Sequence, residues 1–311
     1  MKGEFAALLA AGRPIVIDGG LATQCEAMGH NIDGELWSAQ LLVSNPRAIV
    51  DATRAYLEAG ARIVATASYQ ASRRNLVAMG LTADQANQLI LDSVSLARQA
   101  CDEYLADNPG AGRPLVAASI GPYGAIMHDA SEYTGAYDVS DDELRAFHAE
   151  RLALLDGSDA DLFACETIPS GREAAILADL LDAVSKPAWV SFSCRDESHL
   201  ADGTPVATAA AYYRDHANVL ALGVNCIPPE IVVPLIGQLR RAAPDKAVVV
   251  YPNSGEIYRS EDNSWQGTTT PLQCKRAAAA WVAAGANLVG GCCRIGPAQI
   301  AAMSQSLTNS G

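Results

Sequence analysis

Eight short apolar segments alternate along the chain with segments that carry helix signals, and this alternation constrains the fold more than any other feature of the sequence. The apolar segments are rich in β-branched residues and end in small or polar ones; they span 14–20, 61–68, 114–121, 160–167, 187–194, 219–226, 247–255 and 286–293. Strands that are hydrophobic almost throughout are typical of a parallel sheet covered on both faces. The sequence therefore predicts a parallel sheet with helices packed against it.

The intervening segments begin and end with residues that favour helix termini. Asn45 is the expected N-cap of one helix, Pro46 takes its first position and Gly60 ends it. Thr82 and Ser140 are the expected N-caps of two further helices. A strand followed by a helix, eight times over, predicts an α/β fold of the (β/α)8 TIM barrel type, with a doubly wound open sheet as the alternative.

The chain of 311 residues has the length of one large α/β domain. We expect a single barrel domain over 1–311, with a core from about 13 to 300 and no linker. Three longer connections, 21–45, 122–139 and 256–270, are expected to lie over the mouth of the barrel.

Composition argues against several classes of protein. A net charge of −13 and a pI of about 4.7 speak against a nucleic-acid partner. No segment approaches the length that crosses a membrane, and the first apolar run is short and interrupted by Glu4, unlike a secretory signal. We therefore expect a cytoplasmic protein whose eight cysteines are free, catalytic or metal-bound rather than paired in disulfides.

Polar and sulfur-bearing residues end several of the predicted strands. In barrels of this type, catalytic residues lie at the carboxyl ends of the strands. These ends carry Asp18, Thr66, Ser68, Glu166, Asn225, Cys226, Ser254, Cys292 and Cys293. We expect their side chains around one rim of the barrel.

Three cysteines at this rim predict a metal site. Cys226 ends the sixth strand, and the adjacent Cys292 and Cys293 end the eighth, two positions away around the ring. Three protein ligands with an open fourth position describe a catalytic zinc site. Gly290 and Gly291 are expected to let the strand bend so that both adjacent thiols turn inward. A strained disulfide between the neighbours, or burial as small hydrophobic residues, are the alternatives.

Two further cysteines end strands and compete as ligands. Cys165 adjoins Glu166, so it should point to the helix layer if Glu166 points into the barrel. Nothing in the sequence excludes Cys194, which could complete a structural zinc site with four protein ligands.

The charge of the predicted centre points to its substrate. Zinc with three thiolates carries a net charge of about −1, which is unfavourable for generating hydroxide. Zinc lowers the pKa of a bound thiol, so a fourth sulfur ligand would be deprotonated at neutral pH and still nucleophilic. The site therefore predicts a thiol substrate rather than hydrolysis.

Seven short motifs occur in a fixed order: IDGGLAT, ASYQAS, SIGPYGA, CETIPS, GVNC, YPNSGE and GGCCR. With them the chain resembles the zinc-dependent homocysteine S-methyltransferase family over nearly its whole length. Within that family it looks most like the compact enzymes that use S-methylmethionine. Betaine-dependent relatives carry a C-terminal dimerisation arm, and cobalamin-dependent ones carry further domains; this chain stops about 18 residues after the eighth strand.

The resemblance implies a reaction and a first set of residues. Methyl transfer from S-methylmethionine, with S-adenosylmethionine as a weaker donor, would convert the zinc-activated thiolate of L-homocysteine to methionine. One zinc ion per chain would bind Cys226, Cys292 and Cys293. Glu166, with Asp18, would hold the substrate ammonium as the catalytic carboxylates. Methylation of selenocysteine or another thiol by the same chemistry is an alternative, as is a non-catalytic barrel with a structural zinc.

The resemblance also implies further substrate contacts, besides the metal ligands and the two carboxylates. Backbone amides of Gly19, Gly20 and Leu21 would hold the substrate carboxylate. Ser68, Tyr69, Tyr123 and Asn225 complete the predicted substrate-binding set.

Aromatic faces suit a cationic sulfonium, and Tyr133 is a further candidate beside Tyr69 and Tyr123. Methyl transfer to a thiolate needs no general base, and His128, His148 and His199 are expected at the surface. The sequence leaves the oligomeric state open.

Overall fold

The computed structural model describes residues 3–32, 38–127, 129–255, 257–259, 264–266 and 269–308. The helices are α1 (Gly3–Ala10), α2 (Leu21–Ala27), α3 (Ser38–Ser44), α4 (Pro46–Glu58), α5 (Arg73–Ala78), α6 (Ala83–Asp107), α7 (Asp141–Asp156), α8 (Gly171–Leu181), α9 (Val206–Ala211), α10 (Val232–Ala242), α11 (Pro271–Ala284) and α12 (Pro297–Thr308). The strands are β1 (Ile15–Val16), β2 (Ile63–Ala65), β3 (Leu115–Ile120), β4 (Leu162–Ile168), β5 (Ala188–Phe192), β6 (Val219–Asn225), β7 (Ala247–Tyr251), β8 (Ile257–Arg259), β9 (Ser264–Gln266) and β10 (Leu288–Val289).

Eight of these strands form one parallel sheet that closes on itself. Their order is β1-β10-β7-β6-β5-β4-β3-β2, and a parallel bridge between Ile17 and Ile63 joins the two outer strands. Helices follow the strands along the chain, so the predicted (β/α)8 barrel is confirmed. The remaining strands, β8 and β9, form a separate antiparallel hairpin.

The first and last barrel strands are shorter than the apolar segments that predicted them. β1 and β10 have two residues each, against predicted spans of 14–20 and 286–293. Beyond each strand the backbone still makes single hydrogen bonds to its neighbours, and then it turns away. The Gly291 N–H, for example, donates to the Asp18 carbonyl at 3.0 Å. Residues that look like strand in the sequence are used here to build the rim.

The helix termini follow the capping signals, with one difference. Thr82 accepts from the N–H of Gln85 in a capping box, and Ser140 accepts from the N–H of Glu143. Asn45 precedes α4 as predicted, but its side chain makes no capping hydrogen bond and lies 3.4 Å from His30 Nδ1.

The three long connections contain structure of their own. Helices α2 and α3 lie within 21–45, two 3₁₀ turns (Tyr123–Ile126 and Ser131–Tyr133) lie within 122–139, and the β8–β9 hairpin lies within 256–270. Positions 33–37, 128, 256, 260–263 and 267–268 of these connections lie outside the described residues. No helix in the described part of the chain is both long and apolar enough to cross a bilayer.

The barrel interior changes from apolar to polar toward the carboxyl ends of the strands. Phe5 of α1 packs into the apolar part, with its ring 6.3 Å from that of Trp189. The Tyr251 hydroxyl accepts from Trp189 Nε1 at 3.1 Å and donates to Glu166 at 3.0 Å. Tyr251 therefore marks the boundary above which the interior offers hydrogen bonds to a ligand.

A buried cation holds the loops that follow β2 and β3. The Arg151 guanidinium, from α7, donates to the carbonyls of Ser68 (3.0 Å), Tyr69 (2.9 Å) and Gly121 (2.8 Å). Burial lowers its pKa to about 10, so it remains charged at neutral pH. Hydrogen bonds from a charged side chain of the helix layer therefore fix the conformation in which these loops reach the rim.

Gly290 lies where the first and last strands come into close contact. A Cβ atom at this position would lie 2.4 Å from Ile17 Cγ1 and 2.7 Å from the Asp18 carbonyl oxygen. Real Cβ atoms do not approach other atoms so closely, so the backbone of the first strand would have to move.

We predict that Gly290→Ala lowers the free energy of unfolding by about 1–3 kcal/mol, because the extra methyl group overpacks this junction. Gly110→Ala is the matched control, since a Cβ there meets nothing within 4 Å. Urea unfolding of both variants is the measurement. Equal stability of the two variants would contradict the close contact.

Candidate metal centre and substrate cavity

Three thiols meet at the carboxyl end of the barrel. Cys226 directly follows β6, and Cys292 and Cys293 follow β10. Their sulfur atoms all lie within 4.8 Å of one another, and those of Cys226 and Cys293 are 3.8 Å apart. Among the His, Cys, Asp and Glu side chains of the described residues, this is the group of three that approaches closely enough to share a metal ion.

The end of β7, which lies between β6 and β10 in the sheet, holds both cysteine segments. The N–H of Cys226 donates to the Tyr251 carbonyl at 3.2 Å. The N–H of Cys292 donates to the carbonyl of Pro252, the next residue, at 2.9 Å. The spacing of the sulfurs is therefore set by the parallel register of three neighbouring strands.

Gly290 and Gly291 precede the two adjacent thiols, and neither has a positive φ. Positive φ angles occur at Cys226 (54°), which follows β6, and at Arg294 (63°), which follows the two thiols. The glycines serve close packing: a Cβ on Gly291 would lie 2.1 Å from the Ile295 side chain. A left-handed conformation at a residue other than glycine is strained, and such strain is typical of functional sites.

The three thiols share their protons. Hydrogen bonds from Cys226 and Cys292 hold the pKa of Cys293 well below its ordinary value. Hydrogen bonding to Cys226 and Cys293, together with burial, raises the pKa of Cys292 well above it. All eight cysteines of the chain are free, so Cys292 and Cys293 do not form a disulfide here.

The donor set fits a tetrahedral metal ion. Zinc binds cysteine sulfur at about 2.3 Å, which places two sulfurs of a tetrahedron about 3.8 Å apart. The distance between Cys226 and Cys293 Sγ, 3.8 Å, agrees with that requirement.

The two other strand-end cysteines face away from this group. Cys165 and Cys194 are both buried in the hydrophobic layer between sheet and helices. For Cys165 the reason is strand alternation, because its neighbour Glu166 faces the barrel interior. No fourth cysteine completes the centre.

Two buried carboxylates lie in the same cavity as the thiols. Asp18 Oδ2 accepts from the N–H of Ala65 at 2.7 Å. Glu166 accepts a short hydrogen bond from the Ser119 hydroxyl and a second from Tyr251 at 3.0 Å. Each carboxylate is thus oriented by a neighbouring strand, and each is at most 9% exposed.

Burial shifts the titration of both carboxylates. It raises the pKa of Asp18 to about 7, against the hydrogen bond from Ala65, and the nearby Glu166 charge adds to the rise. It raises the pKa of Glu166 to about 7 as well, although the hydrogen bonds from Ser119 and Tyr251 oppose this. A positively charged ligand in the cavity would offset the cost of ionising them.

The Asn225 side chain, at the end of β6, forms hydrogen bonds with residues of β4 and β5. Its side-chain oxygen accepts from the Thr167 N–H at 2.7 Å and from the Ser191 hydroxyl at 2.8 Å, and its amide donates to Thr167 Oγ1 at 2.7 Å. Thr167 has a φ of 61°, so these bonds hold a strained residue next to Glu166. Asn225 lines the cavity while its oxygen is used within the protein.

The cavity measures about 130 Å³ and collects most of the predicted site. Ten of the twelve predicted residues line it: Asp18, Gly19, Gly20, Leu21, Tyr69, Glu166, Asn225, Cys226, Cys292 and Cys293. The barrel rim therefore brings the predicted metal ligands and both carboxylates into one space.

Ser68 and Tyr123 do not line the cavity, which corrects two of the predicted substrate contacts. The Ser68 hydroxyl is buried behind the wall and donates to the Ser119 carbonyl at 2.8 Å. The Tyr123 hydroxyl points outward, accepts from Arg74 and donates to Glu143 at 2.7 Å. The Ser68 side chain is thus used within the sheet and that of Tyr123 within the helix layer, directions that loop sequences do not reveal.

Comparison with known proteins places this site in a family. A family model described as homocysteine S-methyltransferase matches residues 15–307. The homocysteine S-methyltransferase of Escherichia coli (strain K12) is 45% identical over 293 residues, which cover 93% of this chain and 94% of that protein. The chain belongs to the homocysteine S-methyltransferase family.

Two further members agree. The homocysteine S-methyltransferase YbgG of Bacillus subtilis (strain 168) is 42% identical over 300 residues, 94% of this chain and 95% of that protein. The crystal structure of the E. coli homocysteine methyltransferase MmuM, in a form described as metallated, matches with a TM-score of 0.87 at 43% identity, covering 96% of this chain and 98% of that one. The expected fold, family and enzyme class are confirmed.

The cavity of this homocysteine S-methyltransferase family member is also lined by residues outside the predicted set. Ser119, Glu132 and Tyr251 line it but were not predicted as site residues, although Ser119 and Tyr251 lie within two of the motifs. Tyr133, a candidate aromatic contact for the donor, lines it as well. Strand alternation could have found Ser119 and Tyr251, since each lies two residues beyond an inward-facing residue of its strand. An acid in a connecting loop carries no comparable signal, so Glu132 is visible only in the structure.

The described histidines of this family member lie outside the cavity lining. His148, expected at the surface, is fully buried, and its Nε2 lies 2.7 Å from Glu173 Oε1 between α7 and α8. His199 is partly exposed beside Asp196, and His128 lies outside the described residues.

The raised pKa of Asp18 predicts a pH-dependent stability. The folded state binds the Asp18 proton more tightly than the unfolded chain does, so this stabilisation is complete below about pH 4 and is lost as the pH rises through 7. We predict that Asp18→Asn raises the free energy of unfolding by about 2–3 kcal/mol more at pH 8 than at pH 4.5.

Urea unfolding at the two pH values, with a chelator present so that metal content is constant, measures the difference. If the free energies of unfolding of Asp18→Asn and the parent protein differ by the same amount at both pH values, the raised pKa of Asp18 is contradicted.

Proposed function

We propose that this enzyme transfers a methyl group from S-methylmethionine to the thiolate of L-homocysteine and so produces methionine. In this proposal Cys226, Cys292 and Cys293 bind one zinc ion, and the homocysteine thiolate binds to that ion. The observation that carries the proposal is the convergence of three thiols, within 4.8 Å of one another, with two buried carboxylates in one cavity. Family membership supports homocysteine as the acceptor.

Zinc is the metal that suits the donor set. Soft thiolate ligands in a tetrahedral arrangement favour it over magnesium or calcium. When bound here, zinc would take the homocysteine sulfur as its fourth ligand and keep it deprotonated yet nucleophilic at neutral pH. The position of Cys194 in the outer hydrophobic layer argues against a structural site with four protein ligands.

We assign the binding of the substrate ammonium to Asp18 and Glu166. Both are buried, and an ammonium group between them would supply the counter-charge that their raised pKa values indicate is absent. Asp18 is also joined to the eighth barrel strand through its carbonyl, which accepts from the N–H of Gly291, next to Cys292. An amino acid held by its ammonium group would therefore extend its side chain toward the thiols.

The first turn of α2 lines the cavity and is the proposed site for the substrate carboxylate. The Gly20 N–H already donates to the Ile295 carbonyl at 3.0 Å, so this amide is not available to a ligand. Gly19 and Leu21 remain the candidates among the three predicted amides.

The reaction is an in-line displacement in which no proton moves. The homocysteine sulfur forms a bond to the methyl carbon, and the bond from that carbon to the sulfonium sulfur breaks with its electron pair going to the sulfur. A neutral thioether leaves, which is a better leaving group than the amine released from betaine. The protein has to align the two sulfurs and exclude water.

The finer alternatives remain predictions. Selenocysteine would suit the same soft centre, and S-adenosylmethionine is a weaker candidate donor. Reduced thiols are needed for zinc binding, which favours the cytoplasm as the location.

We predict that Cys226→Ala loses most of its zinc and its methyl transfer while the barrel stays folded, because a ligand is lost but the packing of strands and helices is not. Cys194→Ala is the matched control: this cysteine also follows a barrel strand and is buried, but it lies outside the thiol group. Zinc per chain by atomic emission and folding by circular dichroism are measured on the same samples. Full zinc retention in Cys226→Ala would rule this residue out as a ligand.

We predict that the purified, zinc-loaded protein produces two methionines per S-methylmethionine consumed, because donor and acceptor both end as methionine. Each donor is supplied separately with homocysteine, and methionine is quantified. Efficient turnover with betaine and none with S-methylmethionine would overturn the choice of donor.

A further inference from the structure

The cavity contains a third acid that the proposed reaction has not used. Glu132 lies in the 3₁₀ turn Ser131–Tyr133, in the connection between β3 and α7, and it lines the same cavity as Asp18 and Glu166. Its side chain is partly buried, although it lies in a connecting loop.

Glu132 differs from the other two acids in its hydrogen bonding. Asp18 accepts from a backbone N–H and Glu166 from two hydroxyls. The Oε2 atom of Glu132, by contrast, is buried and has no hydrogen-bond partner among the described residues. A buried carboxylate oxygen without a partner destabilises the protein, and such a group in a binding cavity indicates a partner supplied by the ligand.

The turn that carries Glu132 lies beside the thiol centre. The hydroxyl of the next residue, Tyr133, is 3.5 Å from Cys226 Sγ. The backbone of this turn packs closely against Gly124: a Cβ on Gly124 would lie only 2.4 Å from the Glu132 nitrogen.

We propose that Glu132 pairs with the sulfonium cation of the methyl donor and thereby selects a cationic donor. The inference rests on the proposed function. Two positively charged groups must enter the cavity: the ammonium of homocysteine, which Asp18 and Glu166 are placed to bind, and the donor. The donor methyl carbon must come within about 3–3.5 Å of the attacking sulfur, so the sulfonium must lie near the thiol centre. Glu132 is the acid whose turn lies beside that centre.

The charges of the reaction give this pairing a second consequence. Transfer of the methyl group turns the sulfonium into a neutral thioether, so Glu132 loses its counter-ion when the bond breaks. Because the sulfonium has lost part of its charge in the transition state, the interaction stabilises the bound donor more than the transition state, and it favours release of the product. Removing it should raise the KM for the donor without lowering kcat.

The test is Glu132→Gln, which keeps the shape of the side chain and removes its charge. We expect the KM for S-methylmethionine to rise by about 10- to 100-fold, the range for the loss of a partly buried ion pair. The KM for homocysteine and the zinc content should stay within about twofold of the parent values. Glu26→Gln is the matched control, because Glu26 is exposed on α2 and its loss changes the net charge equally.

Direct binding separates this proposal from the proposed function. Calorimetric titration of the zinc-loaded protein with S-methylmethionine, and with trimethylsulfonium, which has no ammonium group, does not depend on turnover. We expect Glu132→Gln to weaken the binding of both ions by a similar factor. Weakened binding without turnover in the parent protein would support the proposal and contradict the proposed reaction.

Three results would overturn the role of Glu132. The first is unchanged donor binding and an unchanged donor KM in Glu132→Gln. The second is a loss of affinity for S-methylmethionine but not for trimethylsulfonium, which would assign Glu132 to the ammonium. The third is an equal rise in the KM for homocysteine. Glu132→Asp provides a second measurement if the glutamine variant does not fold. It keeps the charge one methylene group further away, and we expect a smaller rise in the donor KM.

Discussion

The backbone contact between the ends of the first and last barrel strands determines the geometry of the whole site. The Gly291 N–H donates to the Asp18 carbonyl at 3.0 Å, and a Cβ on Gly20 would lie 2.6 Å from the Cys292 carbonyl oxygen. Only glycine allows two rim segments to approach so closely. Because of this contact, an acid from β1 and two thiols from β10 become neighbours, although more than 270 residues separate them in the chain.

Above Tyr251 the barrel interior holds more negative charge than the protein itself compensates. Burial raises the pKa values of Asp18 and Glu166 to about 7, and hydrogen bonding with Cys226 and Cys293 raises that of Cys292, while Arg151, the buried cation nearby, is engaged with loop carbonyls. The cavity therefore suits cationic ligands, a metal ion among them, and ligand binding would relieve a destabilisation that exists in the empty protein.

Local sequence patterns identified much of this arrangement, and their failures have physical reasons. Alternation along a strand correctly separated Glu166 from Cys165, because neighbouring side chains on a strand face opposite sides. The same rule does not hold where the chain leaves the strand, so it could not direct Ser68 or Tyr123. The Ser68 hydroxyl donates to the β3 backbone and the Tyr123 hydroxyl to Glu143 of α7. The glycines before the two adjacent thiols were expected to allow a bend, and the structure adds that a Cβ on either would collide with neighbouring atoms.

The sequence by itself determined the eight-fold alternation of strands and helices, the order of the motifs at the strand ends and the family to which the chain belongs. Periodicity and capping are local properties, and parallel closure then places all the strand ends on one rim. Only the tertiary structure decided which loop residues face the cavity, how the three sulfurs are spaced and that Glu132 has a buried oxygen with no hydrogen-bond partner in the described part of the chain. These features depend on contacts between segments far apart in the chain, and no local pattern encodes the direction of a side chain that such contacts hold.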